Sequence, residues 1–269
     1  MSKKERISVV GYGRVGLPLG RELKTRGYDV YGTVTSEEKC QSLKEEGLNA
    51  DVLTFTPEAN GDLDKAVAAD ILVATLPPSA KLEGQFNKVM ETIAEAAARS
   101  EVKKVLLISA TSVYQQTGEV VREEDATHQA SPFLGTSWLK IEELFSLRTE
   151  FETTVVRFSG LMGQGINAGV YFAGRELKGA NQPINMIHLD DCVAVMAEII
   201  DRQLWGEAFN ASADEHPCKR DFYTKACTVA GMELPLFSEE AVPYRIVNCD
   251  KLKKCLGYTF KYPDPMQGL

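Results

Sequence analysis

A short apolar run that ends in a glycine-rich turn is the feature that most constrains how this chain can fold. Residues 7–10 have the composition of a buried strand, and Gly11, Gly13 and Gly16 follow in the spacing Gly-x-Gly-x-x-Gly. Gly11 allows a tight turn, Gly13 lets the backbone approach a pyrophosphate, and Gly16 lets a helix pack closely on the strand. The free N–H groups at the start of that helix would face the phosphates. Because a second strand is predicted at 30–34, at the spacing of a βαβ unit, the turn predicts dinucleotide binding.

Alternation of strands and helices through the first half predicts a parallel sheet with helical crossovers. Several strands are continuously apolar, as expected for a sheet that is covered by helices on both faces. The predicted strands are 7–10, 30–34, 48–55, 71–75, 105–109 and 154–158, followed by 184–189 and 208–211. The predicted helices run from 15 to about 27 and over 86–98, 134–147, 193–202 and 220–230.

Glycines crowd the segment after residue 158, which is typical of loops around a ligand or a hinge. We therefore predict the α/β fold class, with a Rossmann-type doubly wound parallel sheet and a smaller C-terminal substrate lobe. The NAD(P)-binding domain is predicted to cover 1–158, with 184–202 packing back onto it. The substrate-binding lobe is predicted to comprise 159–183 and 203–269.

Charge and cysteine usage exclude several other classes of protein. The 269 residues contain 30 Lys and Arg against 38 Asp and Glu, for a net charge of -8, which argues against a nucleic-acid or anionic membrane surface. No apolar run approaches the ~18 residues of a membrane span. The run at 7–10 is too short for a leader, so we expect a cytoplasmic protein. The six cysteines form no Cys-x-x-Cys pair, and His216 with Cys218 lacks two further zinc ligands, so no metal is expected.

The residues at the end of the second strand decide which dinucleotide is favoured. An NAD site would place Asp or Glu there for the ribose 2′-hydroxyl, whereas this chain has Thr33-Val34-Thr35-Ser36. Thr35, Ser36 and Lys39 could together hold a 2′-phosphate, so NADP is favoured over NAD. Two glutamates that follow Ser36 count against this, and Ser36 could be only a helix N-cap. The predicted cofactor contacts are Gly11, Gly13, Arg14, Val15, Gly16, Thr33, Thr35, Ser36, Lys39, Leu76 and Pro77.

Three segments beyond the turn carry a family likeness. They are Leu-Ile-Ser-Ala-Thr-Ser-Val-Tyr at 107–114 with Gly-Glu-Val-Val-Arg-Glu at 118–123, Ile-His-Leu-Asp-Asp at 187–191, and Gly-Glu-Ala-Phe-Asn at 206–210. In order and spacing they resemble the extended short-chain dehydrogenase/reductases, the superfamily of NAD-dependent epimerases and dehydratases. The resemblance implies an NAD(P) cofactor and a small-molecule substrate such as a sugar nucleotide. It is also compatible with a homodimer, since many members are dimers.

The residues at the family's catalytic positions depart from its Tyr-x-x-x-Lys signature. The resemblance aligns the tyrosine with Leu134, the lysine with Trp138 and the upstream serine or threonine with Ala110. Thr136 and Lys140 have the same spacing, but a shift of two residues turns them by roughly 200° to the far face of the helix. Leu134 and Trp138 are either core residues of an apolar stripe or a wall beside the nicotinamide. The departure resembles the atypical subgroup of the superfamily, whose members keep the cofactor turn and have lost much of the catalytic set.

Other side chains could still do chemistry beyond the carboxyl ends of the strands, where open α/β sheets bind ligands. Tyr114 is either a substitute proton donor or, in the favoured interpretation, a packed aromatic side chain. Ser112 could bind substrate or satisfy the loop backbone, and His188 could be an acid or base or could tie the two lobes together. The predicted substrate pocket comprises Thr111, Ser112, Tyr114, Leu134 and Trp138, and the catalytic candidates are Ser112, Tyr114 and His188.

Four charged residues have both a structural and a functional interpretation. Asp190 and Asp191 could act as paired carboxylates, although the favoured interpretation is that they cap the helix that begins near residue 192. Arg157 and Arg175 could receive an anionic substrate, although structural or surface ion pairs are the favoured interpretation.

Two classes of function follow from these residues. The first is an NADP-dependent oxidoreductase or epimerase-like enzyme with a non-standard site, acting on a small polar or sugar-nucleotide substrate. The second is a catalytically inactive NADP-binding sensor or scaffold. Residues 16–19 and 69–77 also resemble β-hydroxyacid and UDP-sugar dehydrogenases, but the second half is too short and too glycine-rich for their all-helical domain.

Overall fold

An eight-stranded sheet organises the chain, whose computed structural model describes residues 5–79, 82, 84–132, 135–163 and 165–269. The strands are β1 (Arg6–Val10), β2 (Asp29–Val34), β3 (Asn49–Phe55), β4 (Ala59–Gly61), β5 (Ile71–Ala74), β6 (Lys104–Ala110), β7 (Val120–Val121), β8 (Glu152–Phe158), β9 (Gly160–Met162), β10 (Glu176–Lys178), β11 (Met186–His188), β12 (Ala208–Ala211), β13 (Leu236–Ser238) and β14 (Ile246–Val247). The helices are α1 (Gly16–Thr25), α2 (Glu37–Glu45), α3 (Leu63–Val67), α4 (Phe86–Arg99), α5 (Trp138–Ser146), α6 (Leu189–Asp201), α7 (Lys219–Val229) and α8 (Asp250–Leu256).

The strand order in this sheet is β12-β8-β6-β5-β1-β2-β3-β4, and all pairs are parallel except β3 with β4. The chain adds β2 and β3 on one side of β1 and then β5, β6, β8 and β12 on the other side. The order therefore reverses between β1 and β5. Open α/β sheets bind ligands at such a reversal, outside the carboxyl ends of the strands. The predicted α/β class with a Rossmann-type doubly wound parallel sheet is confirmed.

Apolar strands that are buried between helices form the core. Every residue of β5 is buried, and Ile7, Val9 and Val10 of β1 are inaccessible to solvent. α4 presents Val89 and Ile93 on its buried face, which are spaced by about one helical turn. α1 packs against α6, and α4 packs against α5. Removal of this apolar surface from water is the main force that holds the helices on the sheet.

One predicted helix begins later than its apolar stripe suggested. The helix predicted over 134–147 begins only at Trp138, with Ser137 as its N-cap residue. Gly135 has a φ of +71°, which is a left-handed conformation that an α-helix cannot contain. Leu134, the predicted first residue, lies outside the described residues.

A second predicted helix begins earlier than expected. The helix predicted over 193–202 starts at Leu189, directly after β11. His188 is its N-cap residue, because its Nδ1 atom accepts the backbone N–H of Asp190 at 3.1 Å. The predicted capping by Asp190 and Asp191 is therefore wrong. Both lie inside the first turn, where acidic side chains interact favourably with the helix dipole.

The C-terminal part of the chain is not separate from the Rossmann sheet. The segment 203–269, predicted to belong to the substrate lobe, contributes β12, which pairs in parallel with β8. The segment 184–202 contains α6, which packs on α1. Among the described residues, three two-stranded sheets lie outside the main sheet. They pair β10 with β13, β11 with β9, and β14 with β7. None of the helices in the described part of the chain is long and apolar enough to cross a membrane.

Candidate functional site

The glycine-rich turn joins β1 to α1 and is held by two threonines. The backbone N–H of Gly11 donates to Oγ1 of Thr33 at 2.9 Å, and Oγ1 of Thr75 donates to the carbonyl of Gly11 at 2.6 Å. Gly11 has a φ of +107°, and a Cβ at Gly16 would collide with the carbonyl oxygen of Gly11. The turn itself therefore requires Gly11 and Gly16. Thr33, a predicted cofactor contact, uses its hydroxyl to support the turn.

Gly13 differs from these two glycines, because packing within the protein does not require a glycine there. A Cβ at this position would meet only the carbonyl oxygen of Gly11, at an ordinary distance of 3.9 Å. α1 begins beside it with no side-chain cap and no acidic residue in its first turn. The arrangement leaves open space and helix N–H groups above the turn, which are the two features that a pyrophosphate needs.

The remaining predicted contacts near the turn surround this space. Val15 is buried at the start of α1, and the Nη1 atom of Arg14 lies 3.5 Å from the hydroxyl of Tyr171 in the second half of the chain. Leu76 follows β5 and packs against the first glycine of the turn. Pro77 is exposed beside it. The structure brings these residues together, and their contact with a cofactor stays a prediction.

The end of β2 places a cation and two hydroxyl groups beside the turn. Thr35 and Ser36 are exposed, and Oγ of Ser36 accepts the backbone N–H of Lys39 at 3.4 Å as the N-cap of α2. The ammonium group of Lys39 donates to the carbonyl oxygen of Tyr12 at 2.6 Å. Ser36 therefore has the capping role that the sequence allowed, and Lys39 reaches the glycine-rich turn itself.

Two further glycines make room for the aromatic ring inside the turn. A Cβ on Gly20 or on Gly32 would enter the space occupied by the ring of Tyr12. Burial raises the pKa of Tyr12 well above its usual value. Sequence reasoning missed this packing, although a glycine inside an apolar strand is a signal of close approach.

Tyr114 follows β6 and is almost fully buried. Its hydroxyl donates to Oδ1 of Asn210 at 2.5 Å and accepts a hydrogen bond from Nη1 of Arg157 at 2.7 Å. Burial raises the pKa of Tyr114 to about 12. Because both hydrogen bonds of this hydroxyl are internal, the geometry supports a packed aromatic side chain over a proton donor.

A buried ion pair lies beneath Tyr114. Nη2 of Arg157 contacts Oε2 of Glu142 at 2.7 Å, and Nε contacts Oε1 at 3.0 Å. Oγ of Ser109 donates to the same carboxylate at 2.6 Å, and all three side chains are buried. Arg157 is thus a structural residue, as the sequence favoured, whereas Arg175 is exposed. Sequence reasoning missed Glu142 and Ser109, although an acidic residue within the apolar stripe of α5 was a signal.

His188 is also engaged inside the protein. Its ring stacks on Tyr262 with centroids 3.7 Å apart, and a Cβ on Gly163 would enter it from another side. Burial lowers the pKa of His188, and its Nδ1 atom is an acceptor at the start of α6. The imidazole is therefore neutral and enclosed, which supports the structural interpretation that ties segments together.

Asp191 fixes the C-terminal segment to α6. This carboxylate is fully buried and accepts the backbone N–H groups of Lys261 at 2.7 Å and Tyr262 at 3.1 Å. It also accepts the hydroxyl of Tyr258 at 2.8 Å. A single buried side chain thus holds a stretch of backbone that is far away in sequence.

Trp138 is the first residue of α5, and Ser112 lies in the short turn after β6. Trp138 is buried against Phe86, with ring centroids 5.8 Å apart, and its indole Nε1 has no hydrogen-bond partner among the described residues. Oγ of Ser112 is likewise buried without a partner there. Thr111 is buried beside it, and Thr136 precedes α5 and so is not on the helix with Lys140. Trp138 is buried, but its indole N–H has no hydrogen-bond partner among the described residues. Its interpretation as a core residue and its interpretation as a wall beside the nicotinamide therefore both stay open.

Metal binding finds no support in the described part of the chain, which has no group of three or more His, Cys, Asp or Glu side chains that could hold an ion. All six cysteines are free thiols. Burial raises the pKa of Cys249 to about 12, which keeps this group protonated.

Comparisons with known proteins agree with this geometry. A family model described as NAD(P)H-binding matches residues 11–203. Protein YeeZ of Escherichia coli K12 is 27% identical over 272 residues, which cover 97% of this chain and 98% of YeeZ.

Solved structures share the fold over nearly the whole chain. UDP-glucuronic acid 4-epimerase from Bacillus cereus in complex with NAD has a TM-score of 0.79 at 19% identity, covering 98% of this chain and 95% of that chain. A short-chain dehydrogenase/reductase superfamily protein from Agrobacterium tumefaciens with bound NAD has a TM-score of 0.75 at 19% identity, covering 97% and 94%. At these identities the likeness establishes a common fold.

Proposed function

The chain belongs to the NAD(P)H-binding protein family, and from this we propose that it is an NADP-dependent oxidoreductase or epimerase-like enzyme with a non-standard active site. In this proposal it is an atypical extended short-chain dehydrogenase/reductase. Its substrate is a small polar molecule of the sugar-nucleotide class, which is the class named for the Bacillus cereus epimerase that shares its fold.

The observation that carries cofactor binding is the open space above Gly13. Gly11 and Gly16 are explained by the turn alone, but a Cβ at Gly13 would contact nothing closer than 3.9 Å. A glycine there is explained by a ligand that approaches the backbone more closely than a side chain would allow. The uncapped start of α1 supplies N–H groups and a positive dipole at the same place.

The preference for NADP rests on the end of β2. No acidic residue stands at 33–36 to bind a ribose 2′-hydroxyl. Lys39 instead holds a positive charge within hydrogen-bond distance of the turn, and Thr35 and Ser36 are exposed next to it. A 2′-phosphate would find one ammonium group and two hydroxyl groups there.

The non-standard site follows from the residues near the end of β6. Nowhere in the sequence is a tyrosine followed four residues later by a lysine. Trp138 takes the lysine position of the family and offers one indole N–H without a partner among the described residues. The nicotinamide, when bound, supplies the hydride chemistry. Ser112 and Trp138 are then residues that hold the substrate in place beside the cofactor.

A catalytically inactive NADP-binding sensor or scaffold is the second candidate. The contacts of Tyr114 and His188 favour this second candidate. The hydroxyl of Tyr114 and the Nδ1 atom of His188 form their hydrogen bonds with groups inside the protein. Such a protein would bind the nucleotide and would convert no substrate.

Nucleotide binding is the experiment that tests the proposal. Thermal melting and nucleotide fluorescence are measured with NADPH, NADH and both oxidised forms. A ligand at a hundredfold excess over its dissociation constant stabilises the fold by about 2.7 kcal/mol. We expect NADPH to raise Tm more than NADH, and Lys39→Gln to abolish the difference, whereas Lys140→Gln on the exposed face of α5 keeps it. No response to any of the four nucleotides would refute both candidates.

Turnover separates the two candidates from each other. UDP-sugars are incubated with the protein and NADP or NADPH, and the nicotinamide absorbance and the sugar products are followed. Formation of product supports the enzyme. Tight nucleotide binding without conversion of any UDP-sugar supports the sensor or scaffold.

A further inference from the structure

Arg245 is a half-buried arginine that forms no ion pair with an acidic side chain among the described residues. It directly precedes β14, and its carbonyl oxygen accepts a hydrogen bond from Nδ2 of Asn185 at 2.9 Å, which fixes its backbone. Its Nη1 donates to the backbone carbonyl of Tyr114 at 3.2 Å. Its Nε is buried and, within the ranges that the structure covers, meets no acceptor. Burial lowers the pKa of this guanidinium.

Arg157 also contacts Tyr114, and its guanidinium, unlike that of Arg245, has an acidic partner among the described residues. Arg157 binds the carboxylate of Glu142 through two nitrogens, and its Nη1 also donates to the hydroxyl of Tyr114 and to the carbonyl oxygen of Glu123. A guanidinium has five N–H donors, and Arg245 uses one of them in a hydrogen bond to a described residue. A desolvated charge without a partner is costly, so Arg245 has the environment of a group that an external anion completes.

Two further buried polar atoms without a described partner belong to the turn that precedes Tyr114 and to the helix that packs on this turn. Ser112 lies in the short turn Thr111–Val113 that leads into Tyr114, and its Oγ is buried without a partner in the described chain. α5 packs on this turn and begins with Trp138. The Nε1 atom of Trp138 is also buried without a hydrogen-bond partner among the described residues. An indole N–H and a guanidinium can only donate hydrogen bonds, so a ligand here must offer acceptors.

This group of donors is separate from the pyrophosphate position. The glycine-rich turn follows β1, whereas the turn that contacts Arg245 follows β6, and β5 lies between these two strands. Both lie beyond the carboxyl ends of parallel strands, at the edge where open α/β sheets bind ligands.

We propose that Arg245, with Ser112 and Trp138, binds the anionic group of the substrate, which is a carboxylate or a phosphate. The inference rests on the proposed function, since it places the substrate at the same sheet edge as the cofactor. Arg245 is a specificity residue in this arrangement. Its planar N–H donors match the paired oxygens of either anion.

The test compares anion binding by the wild-type protein, Arg245→Gln, Arg245→Lys and the control Arg202→Gln. Arg202 is an exposed arginine at the end of α6 that pairs with Glu198. Inorganic pyrophosphate and malonate are the probes, sodium chloride at equal ionic strength is the blank, and Tm is followed with and without saturating NADPH. We expect Arg245→Gln to raise the dissociation constant of the preferred anion by about tenfold or more, which corresponds to ~1.4 kcal/mol. Arg245→Lys should lie between, because its ammonium cannot bind in the same forked manner.

The melting of the free protein gives a second readout. Because the variant removes a half-buried charge that has no acidic partner among the described residues, Arg245→Gln without ligand should melt no lower than the wild type. A preference for pyrophosphate would assign a phosphoester substrate, and a preference for malonate would assign a carboxylic acid. Equal anion responses in wild type, Arg245→Gln and Arg202→Gln, or no response beyond sodium chloride, would overturn the inference. If NADPH binds but neither anion does, only the inference about Arg245 is refuted. If NADPH does not bind, the comparison of anion binding by the free proteins still tests the role of Arg245.

Discussion

The buried ion pair between Glu142 and Arg157 offers the sharpest test of how the candidate site is supported. Glu142→Leu removes a carboxylate that accepts hydrogen bonds from Arg157 and Ser109, and it leaves the guanidinium charge buried. Breaking a buried pair from one side costs about 3–5 kcal/mol. Since 1 kcal/mol shifts Tm by roughly 2–4 °C in a domain of this size class, we expect Tm to fall by roughly 6–20 °C.

A double-mutant cycle isolates this effect. Glu142→Leu with Arg157→Met removes both charges, so the double variant should recover part of the loss. It retains a cost of about 1 kcal/mol for each polar group left without its partner, namely the hydroxyls of Ser109 and Tyr114 and the carbonyl of Glu123. Glu58→Gln is the control, because it breaks an exposed pair with Lys88 and should leave Tm unchanged. Chemical denaturation and calorimetry are applied to five proteins: the wild type, Glu142→Leu, Arg157→Met, the double variant and the Glu58→Gln control. A loss below about 1 kcal/mol for Glu142→Leu would refute the reasoning that this pair supports Tyr114.

The other predictions concern the turn and the helix cap. Gly13→Ala should keep the Tm of the free protein and lose the nucleotide-induced rise, because its Cβ has room until a pyrophosphate is bound. Gly16→Ala should instead lower the Tm of the free protein, since its Cβ would collide with the carbonyl oxygen of Gly11; equal behaviour of the two variants would contradict the distinction. Because the pKa of His188 is lowered in the folded protein, its contribution to the free energy of unfolding is complete above about pH 6.5. This contribution is lost as the pH falls, because the unfolded chain then binds a proton more readily than the folded protein does. His188→Asn keeps an N-cap acceptor and should lose less stability than the wild type between about pH 7 and pH 5, as measured by urea unfolding.

Much of the fold was predictable because its signals are local. The strand, glycine turn and helix of the first βαβ unit lie within one short stretch, and continuous apolar runs such as 71–75 are typical of a sheet buried on both faces. The boundaries that failed depend on single backbone conformations. The positive φ of Gly135 delays α5, and the imidazole of His188 starts α6 early.

The site was less predictable because its contacts are long-range. Ser109 and Glu142 are 33 residues apart, and Arg245 and Tyr114 are 131 residues apart. A single sequence gives the residue types but not which of them meet. The sequence could therefore identify Arg157 as a charged residue in an apolar strand. It could not show that Glu142 neutralises Arg157 while Arg245 meets no carboxylate in the part of the chain that the structure describes.

The attachment of Asp191 has a consequence for how the protein is made. Its three hydrogen-bond donors lie 67, 70 and 71 positions later in the chain. A ribosome therefore releases α6 well before it releases the groups that satisfy this carboxylate, and an unsatisfied buried carboxylate opposes docking of the helix. We therefore expect the final docking of α6 to follow synthesis of the segment around residues 258–262.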